Sequence, residues 1–168
     1  LAGEISSRIE RALAEKGVAS HIAVTEPVGT HPDIAAIAER LAVQALGGAG
    51  LDTEDATLVL VAHGSSGRPE SKACAEAHAK TLGEKRLFRG VRLATLEEEP
   101  FLDGVLAGIK GPAAVVGLFA APGGHAVDDV RQAIANRASP DIVDAGPVGT
   151  DPAMTAIARM RALAAFNV

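Results

Sequence analysis

The stretch TLVLVAHGSSGRPES, residues 57–71, decides the fold class of this chain. Its first six residues form a continuous apolar run, which is typical of a strand buried on both faces. A turn rich in Gly and Ser follows, and a helical pattern then extends over about 70–83. The segment therefore predicts a strand–turn–helix unit in which His63 lies at the carboxyl end of the strand.

The same alternation continues along the chain. Further strands are predicted at 91–96, 113–119 and 142–144, and helices near Pro100 through Ile109, at 127–138 and from Pro152. Strands that alternate with helices predict an α/β fold, with a parallel sheet flanked by helices and right-handed crossovers.

An internal repeat divides the chain. PVGTHP at 27–32 recurs as PVGTDP at 147–152, and each copy follows a short apolar stretch and precedes a helical pattern. We therefore expect residues 1–46 to be the C-terminal part of a first repeat: a helix at about 4–16, a strand at 22–24 and a second helix. The Gly-rich residues 47–56 are expected to form a linker, and 57–168 a complete unit.

Composition and charge exclude several classes of partner. The chain has 168 residues, a net charge of −5 and no Trp or Tyr, so it offers neither a basic patch nor an aromatic platform for nucleic acid. No apolar run approaches the length of a membrane span. The single cysteine, Cys74, rules out an intrachain disulfide and favours a reducing compartment. We expect a cytoplasmic protein that binds neither nucleic acid nor membranes.

Two histidines are expected at one edge of the sheet, because ligands of parallel sheets collect at the carboxyl ends of the strands. His63 follows the first strand, and His125 follows the strand at 113–119. Neutral imidazole accepts protons and ligates metals near neutral pH. A single histidine at a strand end is more often a hydrogen-bonded turn residue, but two on one edge favour a functional site.

Carboxylates and glycines are expected beside these histidines. Glu97, Glu98 and Glu99 end the second strand, and Asp128 and Asp129 follow His125. Carboxylates relay protons or hold a hydrated metal ion. Glycines at 64, 123 and 124 allow backbone or a flat ligand to approach closely.

Three motifs resemble one known family. LVLVAHGS, GLFAAPGGHAVDDV and GPVGTDPAM, within about 58–163, are similar to those of the CbiX-type sirohydrochlorin cobaltochelatases and related ferrochelatases, the class II tetrapyrrole chelatases. The resemblance implies insertion of a divalent metal into sirohydrochlorin or a related tetrapyrrole, in cobalamin or siroheme biosynthesis. Co²⁺ is favoured by the family, while Fe²⁺ and Ni²⁺ stay open. The metal is a substrate, and no permanently bound cofactor is implied.

The resemblance also implies roles for individual residues. His63 and His125 match two histidines that face each other across the family's cleft and act in metal binding and proton removal. Asp129 matches an acidic residue after the second histidine and completes the implied metal ligands. Glu98 is the candidate catalytic glutamate, although many relatives carry a glutamate at the position of Leu96. The residues implied to contact substrate are Gly64, Ser65, Arg68, Gly123 and Gly124.

The family further implies a partner unit, because its short members are homodimers and its longer members join two units. We expect either a homodimer or a missing N-terminal half to complete the cleft. A non-catalytic metal- or tetrapyrrole-binding module is an alternative function. A histidine phosphatase is a distant one, since Ala62 stands where that family has an arginine.

Two other groups are expected to be structural. Cys74 and His78 lie one helical turn apart, a spacing that more often reflects packing than a shared metal. His31 is replaced by Asp151 in the later copy of the repeat, which argues against a catalytic role for that position.

Overall fold

The computed structural model of the chain describes residues 2–18, 22–64, 69–121 and 125–166. Its strands are β1 (Thr57–Ala62), β2 (Gly90–Thr95), β3 (Ala113–Gly117) and β4 (Ile142–Pro147). Its helices are α1 (Ala2–Glu15), α2 (Asp33–Gly48), α3 (Pro69–Glu84), α4 (Leu102–Ala107), α5 (His125–Arg137) and α6 (Ala153–Phe166). The strands form one parallel sheet in the order β2-β1-β3-β4, so the predicted α/β class is confirmed. Within the described ranges, no helix has the length and apolar character needed to cross a membrane.

Alternation of side chains along β1 and β3 builds two apolar layers. Leu58, Leu60 and Val116 pack with residues of α2 and α3 on one face of the sheet. Val59 and Val61 pack with residues of α4 and α5 on the other face. Because every residue of β3 and all but the first of β1 are buried, these strands read as continuous apolar runs in the sequence.

The strand order places a crevice beside β1 and β3. β1 and β3 are the two central strands. The connection after β1 leads to β2 at one edge of the sheet, and the connection after β3 leads to β4 at the opposite edge. Such a switch point leaves a crevice outside the carboxyl ends of the two strands, where α/β proteins bind their ligands. His63 follows β1 at this point, and α5 begins at His125 after the segment that follows β3.

Helix α2 belongs to the core of the complete unit, although the sequence assigns it to the preceding repeat. Ile34, Ile37 and Leu46 are at most 2% exposed and share one apolar cluster with Leu58 and Leu60. The division into residues 1–46, 47–56 and 57–168 stays a prediction. In space, the helix before the predicted linker covers the sheet that follows it.

The strand predicted at 22–24 does not form, and this prediction was wrong. Residues 22–27 have no regular secondary structure. The equivalent segment of the second copy pairs with β3, whereas none of the described strands lies beside 22–24. A strand without a neighbour cannot satisfy its backbone groups in a ladder, so an apolar sequence alone does not produce one.

The two copies of the repeated motif form the same turn. Val28–Thr30 and Val148–Thr150 are short 3₁₀ turns, and each threonine hydroxyl donates to the proline carbonyl three residues earlier at 2.8 Å. We call them the first and second PVGT turns. The repetition in the sequence therefore reflects a repeated local structure.

His31 and Asp151 perform the same structural task after these turns. His31 Nδ1 accepts a hydrogen bond from the Asp33 N–H at 3.2 Å, and Asp151 Oδ1 accepts one from the Ala153 N–H at 2.8 Å. Each side chain thus satisfies the first N–H of the helix that follows. Asp151 also pairs with Arg40 of α2, with 2.5 Å between Oδ2 and Nη2, which ties the second turn to α2.

Only the second PVGT turn is packed tightly through its glycine. The Gly149 N–H donates to the Phe119 carbonyl at 2.9 Å, and a Cβ at this position would overlap the Ala120 backbone. A Cβ on Gly29 would meet no described heavy atom within 4 Å. The second turn therefore holds the segment that leaves β3 toward the crevice.

These two glycines give a matched test of the packing. Gly149→Ala should lower the free energy of unfolding by about 1–3 kcal/mol, because the methyl group must displace backbone. Gly29→Ala should change it by less than about 0.5 kcal/mol. Urea denaturation of both variants measures the difference, and equal losses would contradict the packing described.

Asp151 predicts a pH-dependent contribution to stability. The hydrogen bond from Arg40, together with that from the Ala153 N–H, lowers the pKa of the Asp151 carboxyl below its usual value. A lowered folded-state pKa stabilises the protein above the unfolded value of about 3.9 and loses this effect as pH falls through the folded value. Asp151→Asn should cost about 1 kcal/mol at pH 7, and the cost should vanish in acid.

Urea denaturation across this pH range measures the effect. Asp52→Asn, which changes an exposed carboxylate of the 51–55 segment, is the control and should show little change at any pH. A loss in Asp151→Asn that persists unchanged in acid would rule out the charge as its cause.

Candidate functional site

A mainly apolar cavity of about 720 Å³ opens at the crevice. Its walls come from the two PVGT turns, the end of β1, one face of α3 and residues 118–120 after β3. Small-molecule sites typically have volumes of about 300–1,000 Å³ and apolar walls with a few placed polar groups. His63, Glu70, Ser71, Cys74 and His78 are among the polar side chains of this lining.

The pairing of β1 with β2 positions His63. Ala62 is opposite Thr95 in the parallel register, and beyond the strands the N–H groups of Leu96 and Glu97 donate to the His63 carbonyl at 3.2 and 3.0 Å. The backbone of His63 is therefore held by the segment that carries the glutamates. Its side chain is 44% exposed, so the imidazole is held at the edge of the cavity and still reaches solvent.

Glu97 lies beside the imidazole of His63. Glu97 Oε1 lies 3.5 Å from His63 Nδ1, and the Gly64 carbonyl oxygen lies 3.3 Å from the same nitrogen. These two acceptors favour the tautomer with its proton on Nδ1. An imidazole in this tautomer, beside a carboxylate, is suited to accept a proton or bind a metal.

Glu98, the glutamate singled out by the sequence, lies against Gly64, the residue after His63. Its carbonyl oxygen accepts a hydrogen bond from the Thr95 hydroxyl. Gly64 has φ of +80°, and a Cβ there would lie 3.0 Å from Glu98 Cγ and 3.2 Å from Glu98 Oε1. Glycine at position 64 thus allows the turn after β1 to pass close to the Glu98 side chain.

The relation between Glu97 and His63 was missed in the sequence. Three consecutive glutamates gave no reason to prefer the first of them. The distinguishing signal is the register between β1 and β2, which aligns Thr95 with Ala62 and brings the next residues past His63. Register between strands far apart in sequence is set by packing of the whole sheet.

Several predicted site residues fall outside the described part of the chain. Ser65, Arg68, Gly123 and Gly124 lie outside it, and so does the side chain of His125. The backbone of His125 is the start of α5, after the segment that follows β3. The opposition of His63 and His125 across the cleft, and the substrate contacts of the other four residues, stay predictions.

Asp129 is not part of the cavity that His63 lines. It lines a smaller cavity of about 280 Å³ together with Thr95, Leu96 and Phe101. In residues 2–18, 22–64, 69–121 and 125–166, no three His, Cys, Asp or Glu side chains form a group that could hold a metal ion. The structure therefore brings His63, Glu97 and Glu98 together, and it places Asp129 elsewhere.

Cys74 and His78 lie on the cavity wall formed by α3. Their Sγ and Nε2 atoms are 3.5 Å apart, and both approach the Gly29 carbonyl of the first PVGT turn. Burial raises the pKa of the Cys74 thiol, so the group is a neutral donor near neutral pH. The pair links α3 to the first PVGT turn, in line with the structural role expected for it.

The fold matches that of the class II tetrapyrrole chelatases, a family whose solved members include CbiX. The family model of CbiX matches residues 57–165, and the chain belongs to the CbiX family. No curated protein sequence matches the chain.

Solved structures show how far the similarity extends. CbiX, the terminal enzyme for siroheme biosynthesis in denitrifying bacteria, is 25% identical with a TM-score of 0.78; the match covers 95% of this chain and 69% of that one. SirB, a sirohydrochlorin chelatase from Bacillus subtilis subspecies spizizenii in complex with cobalt, has a TM-score of 0.72 at 17% identity, over 97% and 62% of the two chains. The chain thus spans less than two thirds of that SirB.

A shorter protein matches a smaller part of the chain. A putative cobalamin biosynthesis CbiX protein from Marinobacter aquaeolei VT8 is 27% identical with a TM-score of 0.51. The match covers 65% of this chain and 95% of that protein.

Gly64 gives a test of the turn after β1. Gly64→Ala should lower the free energy of unfolding by about 1–3 kcal/mol, because alanine is strained at positive φ and its methyl group crowds Glu98. Gly83→Ala in α3 is the control, since a Cβ there meets no described atom within 4 Å and alanine favours helices. Urea denaturation should show a loss for the first variant and none for the second; a loss in both would contradict this description.

Proposed function

We propose that this protein inserts a divalent metal ion into sirohydrochlorin or a related tetrapyrrole. The observation that carries the proposal is His63, which stands at the switch point beside Glu97 and at the edge of an apolar cavity of about 720 Å³. Membership of the CbiX family supports the same reaction class. The apolar walls suit the face of a macrocycle, and the histidine and glutamates supply the polar chemistry at one end.

The reaction exchanges two protons for one metal ion. The divalent ion enters the macrocycle as two pyrrole N–H bonds break, and both protons leave with a base. His63 accepts a proton at Nε2, and the Glu97 carboxylate stabilises the imidazolium through Nδ1–H. The exposed part of the ring then passes the proton to solvent.

The remaining predicted residues complete the site in this proposal. His125 faces His63 across the macrocycle and shares metal binding and proton removal with it. Glu98 lies against Gly64 and relays protons. Asp129, which lines the smaller neighbouring cavity beside Thr95 and Leu96, handles the metal before it reaches the cleft. The loop residues Gly64, Ser65, Arg68, Gly123 and Gly124 contact the macrocycle and its carboxylates.

Co²⁺ is the favoured substrate ion, with Fe²⁺ and Ni²⁺ as alternatives. Imidazole and carboxylate ligands accept all three, so selectivity depends on geometry and supply. SirB has been solved both with cobalt and with Fe³⁺. The ion passes through as a substrate, and the proposal includes no resident cofactor. The lone cysteine favours a cytoplasmic reaction.

A second unit completes the cleft in this proposal. The repeated PVGT turn supports an origin from two units, and the first PVGT turn already forms part of the cavity wall. The missing part is supplied by an N-terminal half or by a second copy of the chain. The family has members of both lengths, as the Marinobacter and denitrifier proteins illustrate.

A binding module without turnover is the second candidate. It rests on the same cavity and the same histidine, which can bind a ligand without turnover. Such a module would hold the pigment or the ion in the same cavity and release neither protons nor product.

The deciding experiment follows metal insertion by absorption. The chain is mixed anaerobically with Co²⁺ and sirohydrochlorin, and the rate is compared with a protein-free control. His63→Ala should lower the enzymatic rate by about 10²–10⁴-fold, as expected for loss of a general base. Glu97→Gln should lower it by about 10–100-fold, because the carboxylate orients and polarises the histidine.

Glu99→Gln is the matched control for Glu97→Gln. Glu99 belongs to the same run, but its carboxylate accepts a hydrogen bond from the Phe101 N–H, which glutamine can also accept. Its rate should match the wild type. Pigment that binds without acceleration over the protein-free reaction would replace the chelatase with the binding module.

A further inference from the structure

The wall of the cavity formed by α3 carries a compact group of metal-ligating atoms that does not include His63. Cys74 Sγ lies 3.5 Å from His78 Nε2, and the Gly29 carbonyl oxygen lies 3.3 Å from the sulfur and 2.8 Å from the nitrogen. We propose that Cys74, His78 and the Gly29 carbonyl bind a divalent cation as a second site on the wall of the cleft.

The spacing of the two side chains fits one tetrahedral ion. Metal–sulfur and metal–nitrogen bonds of about 2.3 and 2.0–2.1 Å at the tetrahedral angle place sulfur and nitrogen about 3.6 Å apart. The separation in the structure is 3.5 Å. The Gly29 carbonyl oxygen, now 2.8 Å from the nitrogen, must move to about 3.4 Å from it to bind the same ion. Ligands four residues apart on a helix also hold zinc in the helical histidine pairs of metalloproteases. The α3 backbone therefore presets this pair for binding.

Because Cys74 and His78 are largely buried, an ion can reach them from the cavity. His78 is 6% exposed, and Cys74, one turn earlier, is half-buried. Both line the same cavity as His63. An ion that enters the cavity from its open side can therefore meet sulfur and nitrogen without disturbing the core.

Binding requires a balanced exchange of bonds. The S–H bond of Cys74 breaks and its proton goes to solvent, while the thiolate bonds to the ion. The imidazole proton of His78 moves from Nε2 to Nδ1, and the hydrogen bond from Nε2 to the Gly29 carbonyl is replaced by bonds from both atoms to the ion. No oxidant or reductant takes part.

The ligand set selects the class of ion. Thiolate and imidazole favour borderline ions such as Co²⁺, Ni²⁺ and Zn²⁺, whereas Mg²⁺ and Ca²⁺ prefer oxygen ligands. The ions favoured here include those proposed as substrates.

The proposed site has two side-chain ligands, so we expect it to bind an ion weakly enough to release it. The described residues provide no third His, Cys, Asp or Glu ligand, so water fills the remaining positions. Glu70 lies one turn before Cys74 and lines the same cavity, so α3 presents carboxylate, thiol and imidazole in sequence along one wall. Supply of the ion to the reaction is the part of this inference that rests on the proposed function; binding does not depend on it.

Cobalt absorption tests the site directly. Co²⁺ added to the wild-type protein without pigment should produce a near-ultraviolet band from thiolate-to-cobalt charge transfer. Cys74→Ser should abolish the band, although its hydroxyl can still donate to the Gly29 carbonyl and keep the local fold. His63→Ala should retain it, because His63 is not one of the proposed ligands.

Alkylation of the single cysteine gives an independent readout. Zn²⁺ at 100 times its Kd should slow the reaction of Cys74 with iodoacetamide by roughly 100-fold, since protection follows occupancy. His78→Gln keeps an N–H donor for the Gly29 carbonyl but should lose most of this protection. Circular dichroism establishes that both variants are folded.

The outcomes separate this inference from the chelatase proposal. A wild-type protein without the charge-transfer band and without zinc protection overturns the second site, whatever its insertion rate. Equal protection in wild type and His78→Gln overturns it as well. If the site supplies the reaction, Cys74→Ser should raise the KM for Co²⁺ and leave kcat unchanged; loss of kcat instead overturns the supply role.

Discussion

The position of β1 between two parallel neighbours is the constraint on which the rest of the molecule depends. Pairing with β2 brings the glutamate segment past His63, and pairing with β3 brings the segment before α5 to the same edge. The crossovers diverge at these two strands, which opens the cavity. A change in register at β1 would move the histidine and glutamates apart, so the site and the sheet depend on the same hydrogen bonds.

The repeated PVGT motif shows one local structure used in two surroundings. Both copies form the same turn and are followed by a side chain that satisfies the next helix. Gly149 is pressed against the segment after β3, while the carbonyl of Gly29 receives Cys74 and His78. The two copies thus form similar turns, and their different neighbours make each a separate part of the cavity wall.

The sequence predicted the parts of the molecule that depend on local patterns. Apolar runs identified β1 and β3, and their carboxyl ends located the crevice and His63. It failed at 22–24, where an apolar stretch has none of the described strands beside it. It also gave no reason to consider Glu97, because register cannot be read from one strand; the catalytic role assigned to Glu98 stays a prediction. Asp129 follows His125 in sequence and was assigned to the metal by the family resemblance; in the structure it lines the smaller cavity beside Thr95 and Leu96, and its role stays a prediction.

The burial of α2 determines where the polypeptide can be cut without exposing its core. This helix covers Leu58 and Leu60, yet it precedes the Gly-rich segment that looks like a natural place to cut. A polypeptide started at Thr57 would keep α3 on this face but lose α2, and would expose the part of the apolar cluster over β3 and β4 to water, which favours aggregation or the capture of a helix from another molecule. A chain shortened at this point, by evolution or in the laboratory, would therefore form a domain-swapped dimer more readily than a stable monomer.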